Sequence, residues 1–200
     1  YRATDNSKWV YTDNRIRRER SNTMSNLLVQ NIKHTNGTTA ATVSSGGVFA
    51  SAGHVVQVLQ GEVLTQITNS SSSYGSVVSQ AITPNFSSSK ILIQCSGCAT
   101  PQGGNALYFK LLRGSTEIGS GTGGGYYNVI GALTNPSGHS TDGFDVKGWT
   151  IQFLDSPSTT SATTYYLQAA AVNGTAKIGG RQDNTDIAVP SRITLMEIAQ

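Results

Sequence analysis

An all-β fold is what this sequence predicts: a jelly-roll β-sandwich, homotrimeric, preceded by an extended N-terminal anchoring segment. Three observations lead to a β-sandwich or jelly roll. Apolar residues alternate with polar ones at period two in run after run. Loops rich in Gly, Ser, Pro and Asn separate those runs. The composition is 37% hydrophobic and 12% charged, with 22 glycines and nearly a quarter Ser or Thr, which suits strands and turns rather than long helices. That apolar content can bury one core over ~150 residues.

The chain opens on YRATDNSKWVYTDN, which reads as a small hairpin. Tyr1 to Thr4 forms one strand, Asp5-Asn6-Ser7 the turn and Lys8 to Thr12 the second strand. A lone hairpin is marginal in water, so it calls for a partner. Residues 15–33 fit two patterns. Ile16, Leu27, Leu28 and Ile32 could line a helix, whereas Leu28 to Ile32 could be a short strand. Residues 35–53, TNGTTAATVSSGGVFASAG, show no long apolar period and hold four glycines, so they read as an extended linker.

From His54 the pattern changes. Val55, Leu59, Val63 and Ile67 recur at a spacing that also fits a helix, but Gly61 and the β-branched content favour strand. ITNSSSSYGS is a polar loop, and Val77-Val78 begin a short strand closed by Pro84. Ile91, Ile93 and Cys95 share one face of the next strand, and Leu107, Phe109 and Leu111 one face of another. Trp149, Ile151 and Phe153 alternate with Thr150 and Gln152. Tyr165, Leu167, Ala169 and Ala171 alternate with Thr164, Tyr166, Gln168 and Ala170. In the last strand Ile193 and Leu195 point one way, Met196 and Ile198 the other. A strand apolar on both faces is buried on both faces, whereas the outer face of a two-layer sandwich should be wet. A second subunit covering Met196 and Ile198 resolves the conflict, so a homo-oligomer, a trimer, is expected.

The charge is uneven. Residues 1–23 hold six cations against three anions, the whole formal net charge of +3, and residues 24–200 balance to zero. The body therefore carries no basic footprint for nucleic acid. Arg15, Arg17, Arg18 and Arg20 cluster just ahead of a start-like Met24. They admit three readings: a nucleic-acid arm, a solvated basic run, or a docking arm. In the last, arginines pair with a partner's carboxylates while Trp9 and Tyr11 act as aromatic anchors. A neutral body favours docking. The opening Tyr1 implies processing or a longer product, and no apolar run approaches the ~20 residues of a membrane span.

Motifs of the kind that carry chemistry are few. Cys95-Ser96-Gly97-Cys98 has redox spacing, yet it ends a strand rather than opening a helix, and zinc would need two further ligands. Structural thiols are expected. His34, His54 and His139 have no nucleophile elbow near them, and no catalytic role is expected. Gly119 to Gly125 lacks the Lys-Ser/Thr of a phosphate loop. With Tyr126 and Tyr127 it offers a flexible loop or a sugar-binding one, where tyrosine faces stack on glycan rings. Asp183, Asn184 and Asp186, like Asp142 and Asp145, read as polar turns rather than calcium ligands. The sequons at Asn36, Asn69, Asn85 and Asn173 matter only in a secretory pathway.

AITPNFSSSKILIQ, LYFKLLRGSTEIG, FLDSPSTTSATTYYLQ and RITLMEIAQ, in this order, resemble the C-terminal domain of bacteriophage fibre proteins, especially of phages infecting marine bacteria, cyanophages included. The likeness spans roughly residues 54–200. It implies a jelly roll similar to the tumour-necrosis-factor and complement globular-head fold, usually a trimeric knob. MSNLLVQNIKHTNGTTAATVSSGG resembles the start of such fibres, and YRATDNSKWVYTDN is similar to small Tyr/Trp hairpins along them. Residues 1–23, ahead of Met24, depart from the usual pattern.

The expected organisation is a basic arm with a hairpin over 1–23, a connecting segment over 24–53 and a knob over 54–200. The expected function is that of a virion structural protein: a trimeric tail fibre or fibre tip whose knob binds a host-surface glycan or protein. It would need no cofactor, no metal and no membrane insertion. A head fibre or capsid decoration protein with the same knob, and a free carbohydrate-binding module, are the alternatives.

Overall fold

The computed structural model describes residues 30–102, 105–122, 128–135, 145–183 and 185–200, together with the backbone of three short N-terminal strands. It divides into two units, Tyr1–His54 and Val55–Gln200. All regular structure among the described residues is strand.

In the first unit β1 (Ser7–Thr12) pairs antiparallel with β2 (Arg15–Arg20), setting Trp9 opposite Arg18 and Tyr11 opposite Ile16, and pairs in parallel with β3 (Leu27–Leu28). This corrects the expected hairpin. Lys8–Thr12 is its first strand, not its second, and its partner is the arginine run. Tyr1–Thr4 lies outside the described residues. Alternation of apolar Ile16 with charged neighbours suits a strand, which decides the ambiguity over residues 15–33 against the helix.

The supposed linker is also structured. β4 (Asn31–Lys33), β5 (Thr39–Val43) and β6 (Phe49–Ala50) form an antiparallel three-stranded sheet. The glycines that suggested slack are turn residues. Gly37 (φ 87°) and Gly47 (φ 80°) take the left-handed region that other residues avoid, and their amides close turns onto His34 and Ser44 carbonyls.

Among its described residues the second unit holds eleven strands: β7 (Val55–Val63), β8 (Ile67–Asn69), β9 (Gly75–Ile82), β10 (Lys90–Pro101), β11 (Ala106–Arg113), β12 (Thr116–Ile118), β13 (Gly131–Thr134), β14 (Lys147–Asp155), β15 (Thr163–Val172), β16 (Ala176–Ile178) and β17 (Ser191–Ile198). The front sheet runs β7-β17-β10-β14, with β16 and β8 continuing it beside the far end of β10. The back sheet runs β9-β15-β11, and β11 is flanked on its other edge by β13 and β12. Every pairing among the described residues of this unit is antiparallel, and most connections between the principal strands cross from one sheet to the other. Numbering β7, β9, β10, β11, β13, β14, β15 and β17 from one to eight in chain order, the sheets read 1-8-3-6 and 2-7-4-5, the connectivity of a jelly roll.

The core lies between the sheets. Ile91, Ile93, Cys95, Ile151, Ile193 and Leu195 come from the front; Leu107, Phe109, Leu111, Tyr165 and Leu167 come from the back. Each fully buried aliphatic side chain contributes roughly 1.5–3 kcal/mol. Phe109 and Trp149 meet across the layers with ring centroids 5.0 Å apart. Trp149 lies over Gly97, its cross-strand partner, where a Cβ would come within 2.6 Å of the indole.

Candidate functional site

At one end of the sandwich the sheets are joined by polar groups. β14 ends at Asp155, in step with inward-facing Ile151 and Phe153, so its carboxylate points between the layers. From the back sheet the Tyr165 hydroxyl donates to Asp155 Oδ2 at 2.7 Å, and Arg113 Nη1 donates to Oδ1 at 2.9 Å and Oδ2 at 3.0 Å. Arg113 also reaches the Ser156 carbonyl at 3.3 Å. Burial, the Asp155 hydrogen bond and its charge push the Tyr165 phenol far up, so it stays protonated. Beside this clasp an open pocket of about 400 Å³ lies between the β11–β12 turn and the β14–β15 loop, with Arg113, Pro157, Thr159, Thr164 and Tyr166 among its walls.

The outer face of the front sheet is banded. One row across it is apolar: Val58 opposite Met196, Met196 opposite Leu92, and Leu92 opposite Leu154. Val58 is 54% exposed and Leu154 45% exposed, while Leu92 and Met196 are half-buried. The next outward row is Gln60, Thr194, Gln94 and Gln152, and the one beyond it Glu62, Arg192, Ser96 and Thr150. Arg192 pairs with Glu62 at 3.3 Å in that last row. Met196 and Ile198 point outward as the alternation of β17 requires, and both are half-buried within a single chain.

Glu197, which sequence reasoning missed, faces inward from the same strand and is fully buried. Its carboxylate accepts from the Asn85 amide at 2.8 Å, Asn85 Nδ2 at 2.9 Å, the Phe86 amide at 3.2 Å, Ser89 Oγ at 2.7 Å and Gln57 Nε2 at 2.7 Å. These donors tie the β9–β10 loop to β17 and β7. Burial alone would raise its pKa; the donors outweigh it and hold the carboxyl below its usual range.

The cysteine pair is separated by the sheet itself. Cys95 faces the core, and an offset of three residues along one strand turns Cys98 to the other face. Both are free and buried. Burial pushes the Cys95 thiol up to about 12 and raises Cys98 as well, the reverse of what a redox nucleophile requires.

The other sequence-derived candidates are dispersed. His34 is engaged locally with Thr35 and the Asn36 amide, and the His54 amide bonds to Ser51. Asp183 is paired with Arg181, and Asp145 with Lys147 at 3.2 Å. Among the described residues no three His, Cys, Asp or Glu side chains converge on a possible metal site. Of Trp9, Tyr11, Arg15, Arg17, Arg18 and Arg20 only the backbone pairing of β1 and β2 is described. Tyr126, Tyr127, His139, Asp142 and Asn184 lie outside the described residues. No helix among the described residues is long and apolar enough to cross a membrane.

No protein-family model and no curated protein matches the chain. Among solved structures it is similar to a chain in the structure of the infectious bursal disease virus Gt strain, with a TM-score of 0.39 and 9% identity, over 76% of this chain and 40% of that one. The fold assignment rests on the strand order itself.

Proposed function

We propose that this chain is a virion structural protein, a homotrimeric phage fibre or fibre tip. Its jelly-roll unit binds a host-surface glycan or protein, and its arginine-rich arm docks on the particle. The observation that carries the reading is the apolar row Val58–Met196–Leu92–Leu154 on the outer face of a sheet whose other face is already the core. An apolar row on the outer face of such a sheet calls for cover, and a second copy of the chain supplies it. The fibre-like motifs of the sequence support the same reading.

The mechanism is binding without a covalent step. Three receptor sites held on one rigid particle bind together with an avidity that one weak site lacks. The arm works separately, through guanidinium–carboxylate pairs with a virion partner.

Two measurements test this. Light scattering on the full chain should report a trimer; a stable monomer sinks the oligomer. Electron microscopy of labelled particles should place the protein at the fibre, and Arg17→Glu with Arg18→Glu should abolish its incorporation while leaving the trimer intact. Label confined to the head surface would favour a head fibre or decoration protein instead.

A further inference from the structure

The corner between β15 and β16 brings a reactive pair together. β15 ends at Val172 in the back sheet, paired with Ala106, and β16 begins at Ala176 in the front sheet, paired with Pro101. Asn173, Gly174 and Thr175 make the crossing. The first two are there for packing reasons. Asn173 holds φ at 65°, in the left-handed region that asparagine tolerates better than most side chains. Gly174 lies against the Asn105 side-chain amide, which occupies the space that a Cβ would need. The path of the chain thus sets an asparagine directly before a glycine. In that pair no side chain hinders the second residue's backbone nitrogen from attacking the first residue's carboxamide.

Hydrogen bonds anchor the corner on its far side but leave this pair free. The Thr175 carbonyl accepts from the Gln102 amide at 2.9 Å and from Gln182 Nε2 at 3.0 Å. Among the described residues neither the Asn173 side chain nor the Gly174 amide has a hydrogen-bond partner. Asn173 is exposed, so water reaches its carboxamide.

The chain contains a second Asn-Gly pair, Asn36-Gly37, and there both groups are occupied. Asn36 Oδ1 accepts from the Thr38 amide at 2.9 Å, and the Gly37 amide donates to the His34 carbonyl at 2.8 Å. Attack by the Gly37 nitrogen gives up both bonds, whereas attack by the Gly174 nitrogen gives up none.

We propose that Asn173 is a modification site: it deamidates through a succinimide closed by the Gly174 backbone nitrogen, and in the folded protein it does so faster than Asn36. The Gly174 nitrogen, having lost its proton to hydroxide, forms a bond to Asn173 Cγ. The Cγ–Nδ2 bond breaks, and Nδ2 leaves as ammonia with a proton from water. Water then opens the five-membered ring. Addition at Cγ leaves aspartate; addition at the main-chain carbonyl leaves isoaspartate, with the chain running through Cγ. No oxidant or reductant takes part. Either product puts a carboxylate where a neutral amide stood. This corner lies at the end of the sandwich where Pro101 pairs with Ala176, away from the end where Val55 pairs with Ile198. The charge of that end therefore becomes more negative as the protein ages. The inference goes beyond the receptor-binding reading and does not depend on it.

The test is peptide mapping by mass spectrometry on the full chain, aged in mildly alkaline buffer and digested at acidic pH. The peptide holding Asn173 should show NH replaced by O severalfold sooner than the peptide holding Asn36, and its products should separate into aspartate and isoaspartate forms. The rate should rise in proportion to hydroxide. In urea, where neither pair keeps its native hydrogen bonds, the two rates should converge. Asn173→Gly keeps the left-handed backbone accessible and removes the carboxamide; it should slow the appearance of acidic species on a charge separation, with circular dichroism confirming the fold. Any of four results overturns the proposal: an Asn173 that stays intact, an Asn36 that reacts as fast in the folded protein, a rate difference that persists in urea, or aspartate formed without isoaspartate.

Discussion

The Tyr165 hydroxyl donates to the Asp155 carboxylate at 2.7 Å, and that bond joins the two sheets at one end of the core. Tyr165 comes from β15 of the back sheet and Asp155 from β14 of the front sheet. Both are buried, so the carboxylate needs its donors: an unsatisfied buried acceptor costs ~1–3 kcal/mol.

Tyr165→Phe keeps the ring and removes one of the donors, leaving Arg113. It should lower stability by ~1–2 kcal/mol in urea unfolding. The same pair predicts an alkaline limit. The folded-state pKa of Tyr165 is raised, so its contribution is complete below the ordinary tyrosine value of ~10 and is lost as pH rises past it. Thermal melts should be insensitive to this group at neutral pH and fall above about pH 10, and Tyr165→Phe should lessen that fall.

Glu197 sets the opposite limit. Its carboxyl is held low, so the stabilisation is present above the unfolded value of ~4.3 and lost as pH falls through the lower folded value. Glu197→Gln replaces an acceptor with an amide nitrogen that faces donors from Asn85, Phe86, Ser89 or Gln57. It should cost ~2–3 kcal/mol at neutral pH and make the melting temperature less dependent on acid. An acid profile identical to wild type would remove Glu197 from this role.

Which of these groups could be read from sequence follows from the period-two rule. Strands such as β14 and β15 keep one face in the core and the other outside, so Trp149, Ile151, Tyr165 and Leu167 were legible as inward residues. The same parity placed Met196 and Ile198 outward. It also held an unused signal: Asp155 and Glu197 share the inward parity of Ile151 and Leu195, and a carboxylate at such a position demands donors. The donors themselves were not legible. Arg113 is 42 residues from Asp155 and Asn85 is 112 from Glu197, and only sheet topology brings them together. The small β4–β6 sheet escaped notice for another reason. It buries little beyond Ala41 and Ala50 while Phe49 is exposed, so it has almost no hydrophobic pattern to detect.

The cysteines provide a chemical test of the fold. With the Cys95 thiol at about 12 and buried in the core, native protein should resist alkylation there at mildly alkaline pH, while unfolded protein should label at both positions. Mass spectrometry after a short pulse of iodoacetamide reads this directly. Rapid native labelling of Cys95 would mean that the sandwich opens at that end far more often than its packing implies.

The apolar row makes the sharpest prediction about assembly. Val58 is 54% exposed in the single chain, so Val58→Lys should change protomer stability by no more than ~0.5 kcal/mol. Met196 lies opposite it and Leu92 opposite Met196, so in a trimer sealed through this row the new ammonium would be buried without a partner. Light scattering should therefore show Val58→Lys as a monomer while its circular dichroism and its melting at low concentration match the wild-type protomer. Thr150→Lys, in the polar row farther along the same sheet face, serves as the control and should remain trimeric. A Val58→Lys protein that stays trimeric would mean that the subunits meet on some other surface.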